Sequence, residues 1–264
     1  MKILRQAMLV DEFFERVRQM GKRALFLDYD GTLAPFVVER SEAVPYPGVC
    51  ELLDEIISTC DCRLVIISGR WLGDLIPLLR LKELPEVWGS HGSERLMPDR
   101  KYQIEKSDAN ALRGLAMAES WVLEQKLARY CERKHSSLAL HLRGLSSGES
   151  RTIKAKTLEK WSGIAQQSGL TVQEFDGGIE LRTTGPNKGV AVDTVLEEMG
   201  EGTAAAYLGD DLTDEDAFHA ISGRGLAVLV REKLRETAAD IWVKPPDELL
   251  WFLKRWLEVC REKA

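Results

Sequence analysis

Four short apolar runs, each stopped abruptly by small or polar residues, limit what this chain can fold into. They are ALFLDYDGT (24–32), RLVIISGR (63–70), AAAYLGDD (204–211) and GLAVLV (225–230), with DIWVK (240–244) as a weaker fifth. Their apolarity is continuous, not alternating, so both faces of each strand must be covered. Helical patterns lie between them. In KGVAVDTVLEEMG, Val192, Val195, Leu196 and Met199 share one helical face before Gly200, and PGVCELLDEIIS (47–58) carries a similar stripe. Strands alternating with helices of that length predict an α/β protein built on a doubly wound, mostly parallel sheet. Ligands of such sheets bind beyond the carboxyl ends of the strands.

The middle of the chain follows a different pattern. SDANALRGLAMAESWVLEQKLARYCERK reads as one long helix, followed by strand-like SSLALHLR, a second helix near 150–168, and strand-like TVQEF and GIELR. The flanks MPDRK and TTGPN hold the Pro and Gly of linkers. The expectation is a smaller α/β cap domain, 101–184, inserted into a core made of 1–100 and 185–264. With 264 residues, 44% of them hydrophobic, the chain has enough apolar surface for one large core and one small one.

A net charge of −6 disfavours nucleic acid or an anionic membrane as partner, because both require a basic face. The opening MKILRQAMLVDEFFERVRQMGKR mixes acids into its apolar residues and reads as neither a signal peptide nor a span, so a cytoplasmic location is expected. Five cysteines without CxxC pairing agree with free thiols in a reducing compartment.

The stretch YLGDDLTDEDAF (207–218) crowds Asp210, Asp211, Asp214, Glu215 and Asp216 into seven positions. Like charges about 4 Å apart repel by roughly 4 kcal/mol at an effective dielectric near 20. Helix capping accounts for three of them: Thr213 is a suitable N-cap, and Asp214, Glu215 and Asp216 then occupy a first turn that favours acids. Asp210 and Asp211 follow a buried strand end, where unpaired charge is costly. Asp28 and Asp30 repeat the feature on the first strand, at strand positions i and i+2 that project to one side, with Gly31 and Thr32 turning the chain away. Carboxylates meeting from two strands form an oxygen-rich site suited to a hard cation such as Mg2+. No His or Cys spacing favours zinc. Ser68 in SGR and Lys188 in GPNKG add a hydroxyl and an ammonium at a further strand end and a helix start.

DYDGT, SGR, the Lys of NKG and GDDLTDE, in this order, resemble the four motifs of haloacid-dehalogenase-like phosphohydrolases. The inserted module resembles the α/β (type IIB) cap of that superfamily. More narrowly, GDDLTDEDAF, SHGSE and ERKHSSLALHLR are similar to trehalose-6-phosphate phosphatases. The resemblance implies that Asp28 attacks phosphorus and becomes an aspartyl phosphate, while Asp30 acts as general acid and then base, kept protonated by neighbouring carboxylates. It also implies that Asp28, Asp210 and the Asp30 backbone carbonyl hold Mg2+, and that Ser68 and Lys188 bind the phosphoryl oxygens. Asp211 would stand behind the metal ligands or support Lys188, and Arg70 reads as a structural ion-pairing residue beside the site.

In the cap, Glu132, Lys134 and Glu180 match the family's sugar-contacting positions. Asp176 replaces a family Lys there, and Thr183 replaces a Pro. Trehalose 6-phosphate is the expected substrate. Sucrose 6-phosphate and glucosylglycerol phosphate are alternatives, and a sugar phosphomutase or a phosphoacceptor signalling module are more distant ones. The expected partners are a small sugar phosphate and a pathway glycosyltransferase, with the chain a monomer.

Overall fold

The computed structural model describes residues 1–5, 10–106, 108–175 and 177–262. Two compact units emerge, one from Met1–Gln103 with Pro186–Ala264, the other from Ile104–Gly185. In chain order the strands are β1 (Lys2–Ile3), β2 (Lys22–Leu27), β3 (Arg63–Ile67), β4 (Glu86–Gly89), β5 (Glu94–Leu96), β6 (Tyr102–Ile104), β7 (Cys131–Arg133), β8 (Ser137–His141), β9 (Leu170–Phe175), β10 (Gly178–Thr183), β11 (Thr203–Gly209), β12 (Gly225–Val230) and β13 (Ile241–Val243). The helices are α1 (Val10–Gln19), α2 (Val49–Thr59), α3 (Leu72–Leu79), α4 (Ala109–Glu124), α5 (Ser147–Ser168), α6 (Lys188–Met199), α7 (Glu215–Ile221) and α8 (Asp247–Arg261). Among the described residues no helix is long and apolar enough to cross a membrane.

The first unit is the expected doubly wound sheet. Its order is β1-β13-β12-β11-β2-β3-β4-β5-β6, parallel from β13 through β4, with β1 and β5 pairing antiparallel to β13 and β4. Successive residues of a strand point to opposite faces, which explains the unbroken apolar runs. Leu25 and Leu27 of β2, with Leu64, Ile66, Ala206 and Leu208, pack under α1, α2, α3 and α8. Ala24 and Phe26, with Val65, Ile67, Ala205 and Tyr207, pack under α6 and α7. Each fully buried Leu or Phe stabilises the fold by roughly 1.5–3 kcal/mol, so both layers are held by the same strands.

The second unit is a four-stranded antiparallel sheet, β7-β8-β10-β9. Here the apolar residues alternate. Leu138, Leu140, Ile179 and Leu181 join Leu115, Ala118 and Val122 of α4 and Trp161 and Ile164 of α5 in one core. Gly114 lets the helices approach, since a Cβ there would lie 2.4 Å from the Ser168 Cβ.

Two local expectations are corrected. The long helix expected up to residue 134 ends at Glu124, with Lys126 in the left-handed region at φ 58°, and Cys131–Arg133 becomes strand β7. Pairing with β8, which sets Cys131 opposite Leu140 and Glu132 opposite Ala139, overrides the local helical preference. Strand β2 ends at Leu27, so Asp28 and Asp30 lie in the turn beyond it and do not share a strand face.

Candidate active site

Strand β2 lies between β3 and β11, and the chain leaves it for β3 on one side and returns to β11 on the other. The carboxyl ends of these strands therefore flank the sheet's switch point. Asp28 follows β2, Ser68 follows β3, Asp210 follows β11, and Lys188 opens α6. All four side chains are buried. Lys188 Nζ donates to Asp28 Oδ1 at 2.7 Å and to Asp214 Oδ1 at 2.7 Å. Thr32 Oγ1 donates to the other Asp28 oxygen at 3.1 Å.

Asp214 is the residue that sequence reasoning missed. It is completely buried. One of its oxygens accepts from Lys188 and from the Tyr207 hydroxyl at 2.6 Å. The other accepts from the backbone N–H groups of Asp210 at 3.0 Å and Asp211 at 2.9 Å. The expected cap at Thr213 is also corrected: Leu212–Asp214 form a 3-10 turn capped by Asp211, whose carboxylate accepts from Leu212 N at 2.8 Å. That extra turn swings Asp214 under the strand end. The counter-ions of Lys188 are thus Asp28 and Asp214, where Asp211 was one of the expected supports. Glu215 is engaged as well, accepting from Arg235, from Thr237 Oγ1 at 2.8 Å and from Ala238 N at 2.7 Å.

Burial pushes the Asp28 carboxyl up to about 7, with Asp214 and Asp30 adding to the rise and Lys188 opposing it. Asp210 is raised further in kind, by burial first and then by Asp28, Asp214 and Asp211. At Asp214 burial acts upward too, but Lys188, the Tyr207 hydroxyl and the backbone amides outweigh it and hold the carboxyl below its ordinary value. Three buried carboxyls around one ammonium, two of them resisting ionisation, describe a site short of positive charge.

A cation fits that deficit. Asp28, Asp210 and Asp214 each bring a carboxylate oxygen to within 4.8 Å of the others. Asp214 already accepts two hydrogen bonds on each oxygen, so coordinating capacity remains on Asp28 and Asp210. Asp210 Oδ2 is buried without a hydrogen bond, and Arg231 Nη1 stands 3.6 Å from it, beyond hydrogen-bonding reach. Gly31, at φ 89°, lets the turn after Asp30 approach this oxygen, because a Cβ there would lie 2.3 Å from it. An all-oxygen donor set of this kind suits a hard divalent ion.

The Asp30 carboxylate lies apart from this cluster. Arg70, buried, grips it with Nε at 2.7 Å and Nη2 at 2.6 Å, and donates to the Arg40 carbonyl at 2.9 Å. The expected ion pair at Arg70 is therefore present, but what faces Asp30 is a guanidinium; the carboxylate crowding falls on Asp28 and Asp210. Ser68 Oγ accepts from Arg70 N at 3.1 Å. His91 lies against Gly69, where a Cβ would come within 2.5 Å of its ring.

In the second unit, Glu132, Lys134 and Glu180 converge on one sheet face. Lys134 Nζ reaches Glu180 Oε1 at 2.9 Å and Glu132 Oε2 at 3.8 Å. Ser137 Oγ donates to Glu180 at 2.7 Å, and His141 Nε2 lies 2.8 Å from Glu132. Asp176 lies outside the described residues.

Residues 26–241 match the trehalose-phosphatase family. A trehalose-phosphate phosphatase of Mycobacterium marinum is 32% identical over 246 residues, 88% of this chain and 60% of that protein. An uncharacterized glycosyl hydrolase of Mycobacterium tuberculosis is 31% identical over 252 residues, 89% of this chain and 18% of that protein. The chain thus spans only part of the curated relatives it matches. Among solved structures, the C-terminal domain of a Candida albicans trehalose-6-phosphate phosphatase superposes with a TM-score of 0.82 at 21% identity, over 97% of this chain and 99% of that one. The shared architecture is haloacid-dehalogenase-like.

Proposed function

The chain belongs to the trehalose-phosphatase family, and from that membership we propose a Mg2+-dependent phosphatase that converts trehalose 6-phosphate to trehalose and phosphate through an aspartyl phosphate on Asp28. The observation that carries this reading is the convergence of Asp28, Lys188 and Asp210 at adjacent strand ends, with a buried Asp210 oxygen lacking a hydrogen bond.

An Asp28 oxygen forms a bond to phosphorus while the bond from phosphorus to the sugar oxygen breaks. Asp30 donates a proton to the departing oxygen. It later takes one from the water that attacks phosphorus, which frees Asp28 and inorganic phosphate. The bidentate Arg70 contact orients Asp30 and occupies one lone pair on each of its oxygens, so the proton must be carried on a remaining one. Lys188 and Ser68 bind the phosphoryl oxygens, with Asp214 fixing Lys188. Asp28, Asp210 and the Asp30 carbonyl would hold Mg2+, which would supply the charge that lets a carboxylate approach an anionic phosphate. Glu132, Lys134 and Glu180 read the sugar hydroxyls. The substrate would come from a glycosyltransferase that joins two sugars and leaves one phosphorylated.

The test is kcat/KM across trehalose 6-phosphate, sucrose 6-phosphate, glucosylglycerol phosphate and glucose 6-phosphate, with and without Mg2+. Trehalose 6-phosphate is expected to lead the series, and Asp28→Asn to abolish both turnover and phosphoenzyme. Unimpaired turnover in that variant, or full activity after exhaustive chelation, would refute the assignment.

A further inference from the structure

The loop that carries Asp210 and Asp211 is held from outside by two arginines that none of the motifs includes. Arg235 uses every nitrogen of its guanidinium. Its Nε donates to the Asp210 carbonyl at 3.2 Å and its Nη2 to the Asp211 carbonyl at 2.7 Å. Its Nη1 donates to the Glu236 carbonyl at 2.7 Å and to Glu215 Oε1. Glu215 in turn accepts from Thr237 and Ala238. The loop after β11 and the segment between β12 and β13 are therefore tied together by one planar fork and one carboxylate.

Arg231 sits differently. Its backbone is fixed at the end of β12, donating N–H to Val243 at 3.0 Å and accepting from Trp242 Nε1 at 2.7 Å. From there Nη1 reaches the Asp210 carbonyl at 3.3 Å and stands 3.6 Å from Asp210 Oδ2.

We propose that these arginines set the affinity of the site for a divalent cation in opposite directions, Arg235 as a positioning residue for Asp210 and Arg231 as an internal counter-charge. Arg235 fixes the backbone from which Asp210 presents its oxygen. A lysine cannot reproduce a fork that bonds four acceptors. Arg231 offsets the charge of Asp210 when no ion is bound, and it repels an incoming ion for the same reason. Removing Arg231 does not strip the Asp210 carbonyl, because Arg235 also donates to it.

The inference rests on Asp210 being a ligand of the cation, so the experiment carries its own control. Mg2+ binding is measured by calorimetry and Mn2+ binding by electron paramagnetic resonance on the whole chain, without substrate. Asp210→Asn is expected to abolish binding; if it does not, the reading of the site fails before the arginines are considered. With that control satisfied, Arg235→Met and Arg235→Lys should both weaken binding by about tenfold or more, whereas Arg231→Met should tighten it and lower the melting temperature of the metal-free protein. Should Arg235→Met fail to fold, Glu215→Gln, which loosens the same fork, must weaken binding in its place. A change of the same sign in both arginine variants, no change in either, or full rescue by Arg235→Lys overturns the proposal.

Discussion

Asp214 accepts from an ammonium, a phenol and two backbone amides, which leaves it no spare lone pair. Asparagine at 214 keeps the shape but loses the charge, and its amide must turn a donor toward Lys188 or toward the backbone N–H groups. Breaking a buried ion pair by removing one partner costs about 3–5 kcal/mol. Asp214→Asn should therefore lower the free energy of unfolding by that much, read as a lower urea midpoint at an unchanged m-value, and cut kcat sharply; a loss below about 1 kcal/mol would contradict the bracket assigned to this side chain. Gly31 tests the same centre from the other side. Alanine there meets both a positive φ and the Asp210 carboxylate, so Gly31→Ala should cost about 1–3 kcal/mol and weaken Mg2+ binding, read by thermal shift with and without the ion. Asp28, Ser68, Lys188 and Asp210 were legible in the sequence because each ends an apolar run or opens a helix. Asp214 was not, because capping preference explains an acid at a helix start just as well, and only its burial separates the two causes.

At the level of elements, the buried runs announced β2, β3, β11 and β12, since a strand covered on both faces is apolar at successive positions. Strand β7 was hidden for the opposite reason: Cys131–Arg133 is short, and its pairing with β8 is invisible in the local sequence. A second non-local feature ties α6 to the sheet. Glu198 takes Arg95 through Nη1 at 2.8 Å and Nη2 at 2.7 Å, while Arg95 and Arg63 also pair with the buried Glu86. The Arg95 fork, helped by Arg63, brings the Glu198 carboxyl down from 4.5 to about 2. Between those two values the unfolded chain binds more protons than the folded one, so the contribution is full above pH 4.5 and is lost as the pH falls toward 2. With the Glu198 side chain 40% exposed, screening keeps the effect below about 1 kcal/mol. Glu198→Gln should accordingly lower stability at neutral pH and converge with the parent protein near the acid end, as measured by urea unfolding across pH. A constant difference at every pH would mean that packing, not charge, is what the residue supplies.

At the scale of the whole molecule, the chain leaves its first unit once and returns once, at residues 103 and 186. The inserted unit closes its own sheet and its own core around Trp161, Leu115, Leu138 and Ile179. Its two ends also meet, since a Cβ on Gly185 would lie 3.9 Å from Glu105 Oε2. A unit of about 80 residues with a single apolar core is large enough to fold alone. Residues 104–185 expressed by themselves should therefore melt cooperatively, and a linker of a few residues should rejoin 103 to 186 without disturbing the core sheet. The rejoined core keeps Asp28, Ser68, Lys188, Asp210 and Asp214, so Mg2+ binding and hydrolysis of a small phosphate such as acetyl phosphate are expected to persist. The proposed preference for a disaccharide phosphate over that small substrate should disappear, because Glu132, Lys134 and Glu180, to which it is assigned, leave with the insert. Retained preference in the rejoined core would place sugar recognition in the first unit instead, and a fragment with no melting transition would show that the two units fold as one.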